Sequence, residues 1–542
     1  MLTTLAAPAF AATWRIEDGD ITVKAGETEG TNKVSQGTNK DVVDTDTIIT
    51  NSDKDTASSH TVTIDAGNDK VEVTLKDVNI KADSGSALTS KGDVTLTLKG
   101  DNHLTGGNGD IYGGSGISSS GSLTISGGET DSLTAQGGSG GDGIYGGDGI
   151  TSSGSLTISG GTVTATGGNS TGSDGSGGSG IYSVSGDVTI SGGSTVTAKG
   201  GDGGNFGGGS GIYSVGRVAI SDGAVTANGG DSKDGDGGYG ISSSGVAISG
   251  GTVTANGGDG GNVSGGGIIS GNGGVTISGG TVKAAGGDSK DGYGGDGIRS
   301  GGGVTISGNT VNAAGGNGGK VGGYGICSFD RVAISGGAVT ANGGDGGSGG
   351  GSGIYSSDID LSGSLELTAK AGSPNGKALS QRGNELDLNT IKDKLGPGAK
   401  VTATDADGKV IDQVPIPRPV EPEKPVIPEE SSSSSDGGSS TPSAPASPLP
   451  GLTVTDKDGQ RISYTSTQSG NTLTVCVGRL TASFRISLAA LRQLRAEGIE
   501  TITFQTILCS TTLSVDELLA MGSEDAEAVL THRLTDSSLT VG

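Results

Sequence analysis

The sequence predicts an all-β protein: a parallel β-helix, built as a three-sheet solenoid of about ten glycine-rich coils, with a small C-terminal α+β unit. Three observations predict this fold class. Glycine accounts for 112 of the 542 residues, about three times its usual share. A unit of roughly 27–33 residues recurs about ten times from near Leu88. Within each unit the apolar residues alternate with period two, which indicates strands.

Each repeat contains three short strand segments followed by a loop. It reads Gly-Ile-x-Ser, then Val-Thr-Ile-Ser-Gly-Gly, then Thr-Val-Thr-Ala-x-Gly-Gly, then a stretch rich in Gly, Asp and Asn. Strands this short cannot form stable hairpins with a core, but stacked coils would bury their Ile, Val and Ala side chains between three parallel sheets ~4.8 Å apart along the axis. Glycine would serve the corners, where positive φ or a close backbone approach excludes a Cβ. A calcium-binding β-roll or a propeller fits this repeat length less well.

The repeat pattern divides the chain into six regions. Residues 1–12 end in an Ala-x-Ala pattern and are interpreted as the remnant of a signal peptide or, alternatively, as an unstructured N-terminus. Residues 13–87 would form an N-terminal cap with the first coils, 88–380 the repeat β-helix, and 381–411 a C-terminal cap. A Pro/Ser-rich linker over 412–451 and a small α+β domain over 452–542 complete the chain.

The C-terminal region carries signals for both strands and helices. A strand is predicted at 473–477 and another at 499–508. Helices are predicted from Ser487, as N-cap, to Ala496, and at 515–520. Cys476 and Cys509 either form a disulfide in an oxidising compartment or remain two thiols. No catalytic pattern is evident here, so attachment to a cell wall or to a protein partner is the expected role.

Charge and hydropathy restrict the partners. The chain has 34 basic and 59 acidic residues, a net charge of -25, which argues against nucleic acid as a partner. No apolar run approaches the ~20 residues of a membrane-spanning helix, so no membrane insertion is expected. Together with the Ala-x-Ala pattern, these features favour a secreted or cell-surface protein.

Catalysis is not supported by the residue pattern. Between Gly100 and Ile354, Glu129 is the only glutamate, and the three arginines fall in different coils. Polysaccharide cleavage needs a tight set of carboxylates, or calcium with a basic residue that takes up a proton. The strand-like pair Asp358 and Asp360 has no basic residue beside it in sequence. No catalytic residues are therefore predicted.

Aspartates are concentrated in the loops and make calcium a candidate cofactor. Two loops carry three each; these are Asp231, Asp234 and Asp236, and Asp288, Asp291 and Asp296. Carboxylate oxygens on flexible loops are ligands that calcium prefers. The alternative is that Asp and Asn favour turns and keep a glycine-rich rod soluble.

The outward position after Gly-Ile gives the candidate carbohydrate-binding residues. It holds Tyr182, Tyr213, Arg299 and Tyr355. Tyrosine offers a sugar an apolar ring and a hydroxyl group, and Tyr182 and Tyr213 belong to adjacent coils. The alternative is that these rings only cover the edge of the coil below.

Outward threonines form a third pattern on the third strand. Thr162/Thr164 and Thr252/Thr254 show it, and it resembles the ice-binding face of some solenoid antifreeze proteins. Threonine is also a favourable strand residue, and Lys283 and Asn312 interrupt the pattern.

The N-terminal region and the repeats resemble a known family. Residues 73–80 read Val-Thr-Leu-Lys-Asp-Val-Asn-Ile, 86–88 read Ser-Ala-Leu, and the Gly-Ile, Leu-Thr-Ile-Ser-Gly-Gly and Val-Thr-Ala units follow. This grammar resembles the bacterial carbohydrate-binding β-helix family, first described from a cellulolytic clostridium and pectate-lyase-like in shape, over about residues 15–410. The resemblance implies a secreted β-helix that binds plant-type or acidic polysaccharide with calcium and without lyase chemistry. The loops here are longer, and no individual calcium ligand can be matched.

The function predicted from the sequence is non-catalytic binding of polysaccharide at the cell surface or after secretion, assisted by loop calcium. Two alternatives stay open. One is a surface adhesin or structural rod without specific glycan binding, and the other is a pectate-lyase-like enzyme.

Overall fold

The computed structural model describes residues 12–141, 145–170, 172–415, 451–456, 460–462, 464–469, 471–477, 479, 481–506, 510–521, 526–532 and 537–541. The chain forms two compact units that divide between Pro422 and Glu423. The first is a β-solenoid of about 14 turns, and the protein is 52% strand and 5% helix. The predicted fold class is confirmed, with more turns than the ten glycine-rich coils that the sequence shows.

Each regular coil contains a first, a second and a third strand, as the repeat predicts. In five coils the first and second strands are separate: Ile117–Ser119 and Leu123–Ser126, Ile150–Ser152 and Leu156–Ser159, Ile181–Ser183 and Val188–Ser191, Ile268–Ser270 and Val275–Ile277, Ile298–Ser300 and Val304–Ile306. In the other coils one strand runs through both positions: Val62–Lys76, Leu88–Lys99, Ile212–Ile220, Ile241–Ile248, Ile326–Ile334 and Ile354–Leu361. First and second strands therefore belong to a single 23-stranded sheet.

Twelve third strands and the cap strand Val410–Pro415 form a separate 13-stranded sheet. The third strands are Asn79–Lys81, Asp101–Thr105, Ser132–Gln136, Thr162–Thr166, Thr195–Lys199, Ala224–Asn228, Thr252–Asn256, Thr281–Ala285, Asn309–Ala314, Gly337–Asn342, Leu365–Lys370 and Lys400–Thr404. Each pairs in parallel with the third strand of the next coil, and identical repeat positions face one another, as Val163 faces Val196. The outward threonines consequently form one row, in which Thr164 faces Thr197.

The solenoid core consists of the inward residues that the alternation predicts. In the coil that begins at Ile181, the side chains of Ile181, Val188, Ile190, Val196 and Ala198 are all fully buried. Every coil contributes the same small set at the same positions, so aliphatic residues of adjacent coils stack along the axis. Burying each of these Val or Ile side chains stabilises the fold by roughly 1.5–3 kcal/mol.

Buried serines close the corner between the first and second strands. The hydroxyl of Ser183 donates to the carbonyl oxygens of Gly186 (2.7 Å) and, one coil earlier, Gly154 (3.2 Å). Ser152 and Ser300 make the equivalent bonds. A serine at this position keeps the turning backbone hydrogen-bonded inside the coil, where an unpaired carbonyl would be costly.

Glycine at the corner between the second and third strands has the predicted conformation. Gly251 has φ +76°, and a Cβ added there would lie 2.4 Å from the carbonyl oxygen of Gly223 in the preceding coil. Both the left-handed backbone and the close approach of the coil below require glycine.

Both ends of the solenoid have a cap that contains antiparallel strand pairs. At the N-terminal end the elements are Thr13–Arg15, the 3-10 helix Ile16–Asp18, Ile21–Ala25, Asn32–Gln36, Asn39–Asp44 and Ile48–Thr50. At the C-terminal end they are Leu379–Gln381, Asn384–Glu385, the 3-10 helix Leu388–Lys394 and Val410–Pro415. The strand Val410–Pro415 pairs with Lys400–Thr404 and so continues into the predicted linker. Residues 416–450 of that linker lie outside the described residues.

The described parts of the loops between the third strand of one coil and the first strand of the next are held by backbone hydrogen bonds. These loops run from 106–116 to 343–353, and their stack is called the glycine lobe below. In one loop the Gly178 N–H donates to the Gly168 carbonyl (2.9 Å), and the Gly168 N–H donates to the Gly147 carbonyl of the previous loop (2.7 Å). The same two bonds recur in the nine loops at 2.7–2.9 Å, so a continuous zigzag of backbone hydrogen bonds runs along the solenoid.

The lobe uses glycine because there is no room for a side chain. A Cβ on Gly178 would lie 2.0 Å from the carbonyl oxygen of Gly147, although Gly178 has no left-handed φ. At nearly all lobe glycines an added Cβ would collide with neighbouring backbone in the same way. The loops therefore form a packed layer of backbone beside the side-chain core. The glycine excess thus has a second cause besides the corners.

The second unit confirms the α+β prediction. Its strands are Leu452–Thr455, Thr465–Ser469, Thr472–Cys476, Ala482–Ser487, Thr501–Gln505, Ser510–Ser514, Glu527–His532 and Ser537–Val541, and its helices are Leu488–Ala496 and Val515–Ala520. Ser487 caps the first helix by accepting the Ala490 N–H (3.2 Å). The strands form two four-stranded sheets, and among the described residues no helix is long and apolar enough to cross a membrane.

Candidate functional site: a tyrosine strip along the first strands

The four predicted carbohydrate-binding residues share one position of the coil. Tyr182, Tyr213, Arg299 and Tyr355 each follow the buried Ile of a first strand and precede a buried Ser, so strand alternation turns their side chains outward. In the parallel register Tyr182 faces Tyr213. Arg299 faces Cys327, which faces Tyr355. The four therefore lie in one column along the axis.

Tyr182 and Tyr213 are in direct contact. Their ring centroids are 5.3 Å apart with the planes at 60°, and both rings are half-buried. Burial raises the pKa of Tyr182, and the neighbouring Tyr213 and Asp148 add to the effect. The phenol therefore keeps its proton at neutral pH and can both donate and accept a hydrogen bond.

The edge of the glycine lobe adds residues to this column. Three positions before the column residue, some coils place another side chain at the surface, including Tyr239, Asp296 and Tyr324. The rings of Tyr324 and Tyr355 stack, with centroids 4.9 Å apart and planes at 20°. The two columns together are called the tyrosine strip below. The sequence placed Tyr239 and Tyr324 upstream in their loops, but only the stacking of coils brings them beside the predicted residues.

Arg299 provides the positive charge of the strip. Its guanidinium lies over the Phe329 ring, 5.1 Å from the centroid, and 3.7 Å from the Asp296 carboxylate. The Asp296 side chain is only 11% exposed. Burial raises the pKa of Asp296, although the Tyr324 N–H (2.7 Å) and the charge of Arg299 oppose the shift. Phe329 was not predicted from the sequence as a residue of this site, because it lies outside the repeated motif.

Cys327 lies between Arg299 and Tyr355 but is not accessible. It is 2% exposed, and burial raises the pKa of its thiol to about 12. The thiol stays protonated at physiological pH and contributes packing rather than reactivity.

The loop aspartates have a structural role that the sequence left open. The Asp231 carboxylate accepts the Asp259 N–H (2.9 Å) of the next coil, and the Asp288 carboxylate accepts the Asn317 N–H (2.6 Å). This aspartate ladder has the same bond at every step from Asn169 to Ser373, and Asn108 accepts the Ser139 N–H in the same way nearer the N-terminal end; the members of the continuous part are Asn169, Asp202, Asp231, Asp259, Asp288, Asn317, Asp345 and Ser373.

The three aspartates of each candidate calcium loop are spread over the lobe. Asp288 is in the ladder, on the segment leaving the third strand, whereas Asp296 is in the tyrosine strip, on the segment entering the first strand. Asp231, Asp234, Asp236 and Asp291 are exposed. Among the described residues no group of three or more His, Cys, Asp or Glu side chains is arranged to hold a metal ion. Calcium binding stays a prediction.

The carboxylate pair Asp358 and Asp360 has basic neighbours in space, although no basic residue lies beside it in sequence. Arg331 from the preceding coil contacts both, with its Nε 3.5 Å from Asp358 Oδ2, and Lys394 of the cap lies 3.1 Å from Asp360 Oδ1. Burial opposes the shift, but the charges of Lys394 and Arg331 hold the pKa of Asp360 below its ordinary value. This ion-pair cluster joins the C-terminal cap to the last coils.

For the C-terminal unit, the sequence leaves open whether Cys476 and Cys509 form a disulfide. The Cys476 thiol donates to the Gln505 side-chain oxygen (3.4 Å), while Cys509 lies outside the described residues. The fully buried His532 contacts Thr511 through Nε2 (2.9 Å), and burial lowers its pKa.

Comparison with known proteins adds no identification. Neither the models of protein families, nor the curated proteins, nor the solved structures include a match to this chain. The resemblance to the carbohydrate-binding β-helix family stays a prediction. What the chain establishes by itself is its class: a β-solenoid with a glycine lobe, an aspartate ladder and a tyrosine strip.

Proposed function

We propose that this protein is a secreted or cell-surface β-solenoid that binds polysaccharide through the tyrosine strip without cleaving it. The observation that carries the proposal is the alignment of Tyr182, Tyr213, Arg299 and Tyr355 in one column, with Tyr239 and Tyr324 beside it. The phenol rings of Tyr182 and Tyr213 on adjacent coils, and of Tyr355 farther along the column, offer a sugar polymer apolar contacts and hydroxyl groups. The strip spans seven coils from Tyr182 to Tyr355. Six coil steps at ~4.8 Å give a length of about 29 Å, which is long enough for several sugar units.

The solenoid supports this function by holding the strip rigid. Each column residue is fixed between two buried side chains of a paired strand, and the glycine lobe fixes the neighbouring column by backbone hydrogen bonds. A binding surface that is ordered before it meets its ligand loses less entropy on binding.

The second candidate function is a structural rod or surface adhesin. The continuous zigzag of glycine hydrogen bonds and the aspartate ladder favour it, since both stiffen the solenoid along its length. In either case the C-terminal unit would attach the solenoid to a cell wall or to another protein.

Retention on immobilised polysaccharides tests the proposal. The full chain should be retained on at least one plant-type or acidic glycan, and Tyr182→Ala/Tyr213→Ala should weaken retention by about tenfold, the loss of about 1.4 kcal/mol. Thr164→Ala/Thr197→Ala is the matched control, because these residues are also outward neighbours on adjacent coils but belong to the third-strand sheet. If the chain is retained on no glycan, polysaccharide binding is wrong and the structural rod or adhesin remains as the function.

The same assay addresses calcium and catalysis. Addition of EDTA should reduce retention if loop calcium assists binding, whereas unchanged retention would remove calcium from the proposal. Release of unsaturated oligosaccharides, measured as ultraviolet absorbance, would instead establish a lyase and overturn the non-catalytic proposal.

A further inference from the structure

The tyrosines of the solenoid occur mainly as pairs on adjacent coils. Six of the nine tyrosines of the chain form three ring contacts between neighbouring coils. The pairs are Tyr112 with Tyr145, Tyr182 with Tyr213, and Tyr324 with Tyr355. Within the described part of the chain, none of these six phenol hydroxyls makes a hydrogen bond to the protein. The hydroxyl groups are therefore available for chemistry as well as for binding.

The pair Tyr112 and Tyr145 differs from the other two because it lies at the exposed edge of the glycine lobe. The two rings stack with centroids 5.6 Å apart and planes within 3°, and the residues are 66% and 43% exposed. In the other two pairs every tyrosine is half-buried. An oxidant in solution therefore reaches the first pair most easily.

The backbone holds Tyr112 and Tyr145 in register. The two residues form a parallel β-bridge. The Tyr145 N–H donates to the Ile111 carbonyl (3.3 Å), and the Gly113 N–H donates to the Tyr145 carbonyl (3.0 Å). Both side chains therefore start one coil spacing apart, ~4.8 Å, and neither ring has to be brought in from a distance to meet the other.

In this column of the lobe, the described part of the chain gives Tyr112 and Tyr145 no further tyrosine neighbour. The next coil places Ser176 beside Tyr145. On the other side, the preceding loop, 82–87, is shorter than the loop 106–116 that carries Tyr112. The two rings can therefore react only with each other or with another chain.

The same column contains a single tyrosine that serves as an internal control. Tyr293 occupies the equivalent position of a later coil and is 48% exposed. Its bridge partners on the two adjacent coils are Val263 and Val321. Tyr293 thus has the exposure of the paired tyrosines without a phenol partner.

We propose that Tyr112 and Tyr145 form a site of oxidative coupling, at which a one-electron oxidant joins the two rings of one chain as dityrosine. The oxidant is hydrogen peroxide acting through a haem peroxidase. It removes one electron and one proton from each phenol, and the two phenoxyl radicals form a carbon–carbon bond between ring carbons ortho to the hydroxyl groups. Each of those carbons then loses its hydrogen as a proton and each phenol oxygen regains one. In sum, two tyrosines and one hydrogen peroxide give one dityrosine and two water molecules.

The stack favours coupling within the chain over coupling between chains. The exposed rings can turn about their Cα–Cβ and Cβ–Cγ bonds from the stack into an edge-on contact. Two groups held side by side react as if each were present at a very high local concentration, and the net charge of -25 keeps separate chains apart. The product joins the first two loops of the glycine lobe covalently, at the end where the preceding loop is shorter.

The test oxidises the full chain at low protein concentration with a haem peroxidase and a limited amount of hydrogen peroxide. We expect dityrosine fluorescence in the monomer fraction. Glu129 and Asp131 lie between the two tyrosines in sequence, so cleavage at acidic residues should release one linked pair of peptides that contains Tyr112 and Tyr145 and has lost two hydrogen atoms.

Phenylalanine variants separate the chemistry from the stack. Tyr112→Phe and Tyr145→Phe should each abolish the linked peptide pair, because phenylalanine keeps the ring and the packing but forms no phenoxyl radical. Tyr293→Phe is the matched control and should leave the linked pair unchanged.

Four results would overturn the proposal. They are dityrosine found only in covalent dimers, a link at either of the other two tyrosine pairs formed as readily as this one, oxidation without any dityrosine, and an equal yield from the chain unfolded in guanidinium. The last would show that coupling does not depend on the stack. The proposal is independent of polysaccharide binding, so either can fail without the other.

Discussion

The core of the solenoid and the glycine lobe are stabilised in opposite ways, although both repeat with the same coils. In the core, stacked side chains such as Ile181 and Ile212 are removed from water, and the interaction is non-directional. In the lobe, the backbones of Gly147, Gly168 and Gly178 bond directly to one another, and side chains are excluded. One chain thus combines a side-chain core with a layer that has only backbone. The difference teaches that a core position should tolerate loss of a methyl group better than a lobe position tolerates its gain.

The largest effect is expected for a methyl group added to the lobe. Gly178→Ala would place a Cβ 2.0 Å from the Gly147 carbonyl oxygen, so adjacent coils would have to separate and hydrogen bonds would break. We expect a loss of about 3 kcal/mol, at the upper end of overpacking effects. Thermal unfolding and hydrogen exchange of the lobe amides would measure it.

Gly349→Ala is the matched control in the same lobe. Nothing lies within 4 Å of its added Cβ, and its φ is not left-handed, so this variant should unfold within about 0.5 kcal/mol of the original chain. Equal destabilisation by both variants would show that glycine is needed for backbone freedom and not for close packing.

A smaller effect is expected when a methyl group is removed from the core. Ile212 is fully buried and stacks on Ile181 and Ile241. Ile212→Val should cost about 1 kcal/mol, because one methylene is lost and the neighbours relax only in part. Chemical denaturation would measure the change. A loss larger than that of Gly178→Ala would contradict the proposed contrast between core and lobe.

The smallest effect is expected in the aspartate ladder at the edge of the lobe. Asp259 accepts the Asp288 N–H (2.7 Å) and stands one coil from both Asp231 and Asp288. Asp259→Asn keeps the acceptor and removes a repulsive charge, so it should leave stability unchanged or raise it by up to about 1 kcal/mol at low salt. Unfolding measured at low and high salt tests this, since screening should abolish the gain.

Asp259→Ala separates the hydrogen bond from the charge. It removes both, and it should lower stability by about 1 kcal/mol relative to Asp259→Asn. If the two variants behave alike, the ladder bond contributes nothing to stability, and the stiffness of the lobe comes from its glycines alone.

The repeat determined most of the fold before the structure was known. The three strands per coil, the inward Ile, Val and Ala residues, the glycine corners and the helix capped by Ser487 are local features that recur or carry a clear terminal signal. A period of two and a repeated motif are enough to set which side of a strand is buried. Four of the strip residues follow from the same alternation, since the residue after a buried Ile must point outward.

The rest of the candidate site depends on contacts between residues that are far apart in sequence, which the sequence pattern does not reveal. Tyr324 contacts Tyr355 on the adjacent coil. Asp360 contacts Arg331 and Lys394, which are about 30 residues away in sequence. Asp296 and Asp288 share a loop in sequence, yet the glycine layer holds them on different segments. These placements follow from the path of the loop backbone.

The sequence by itself determined that this chain is a solenoid with an outward row of tyrosines, because strand alternation and coil stacking are consequences of local periodicity. Only the tertiary structure decided that the described glycines of the loops form a packed layer of backbone, that the loop aspartates bond to the backbone of the next coil, and that tyrosine rings of adjacent coils come into contact. The physical reason is that glycine has no side chain, so a glycine-rich loop shows no alternation of polar and apolar residues from which its packing could be predicted. Its partners are backbone groups of neighbouring coils, and they become visible only once the coils are stacked.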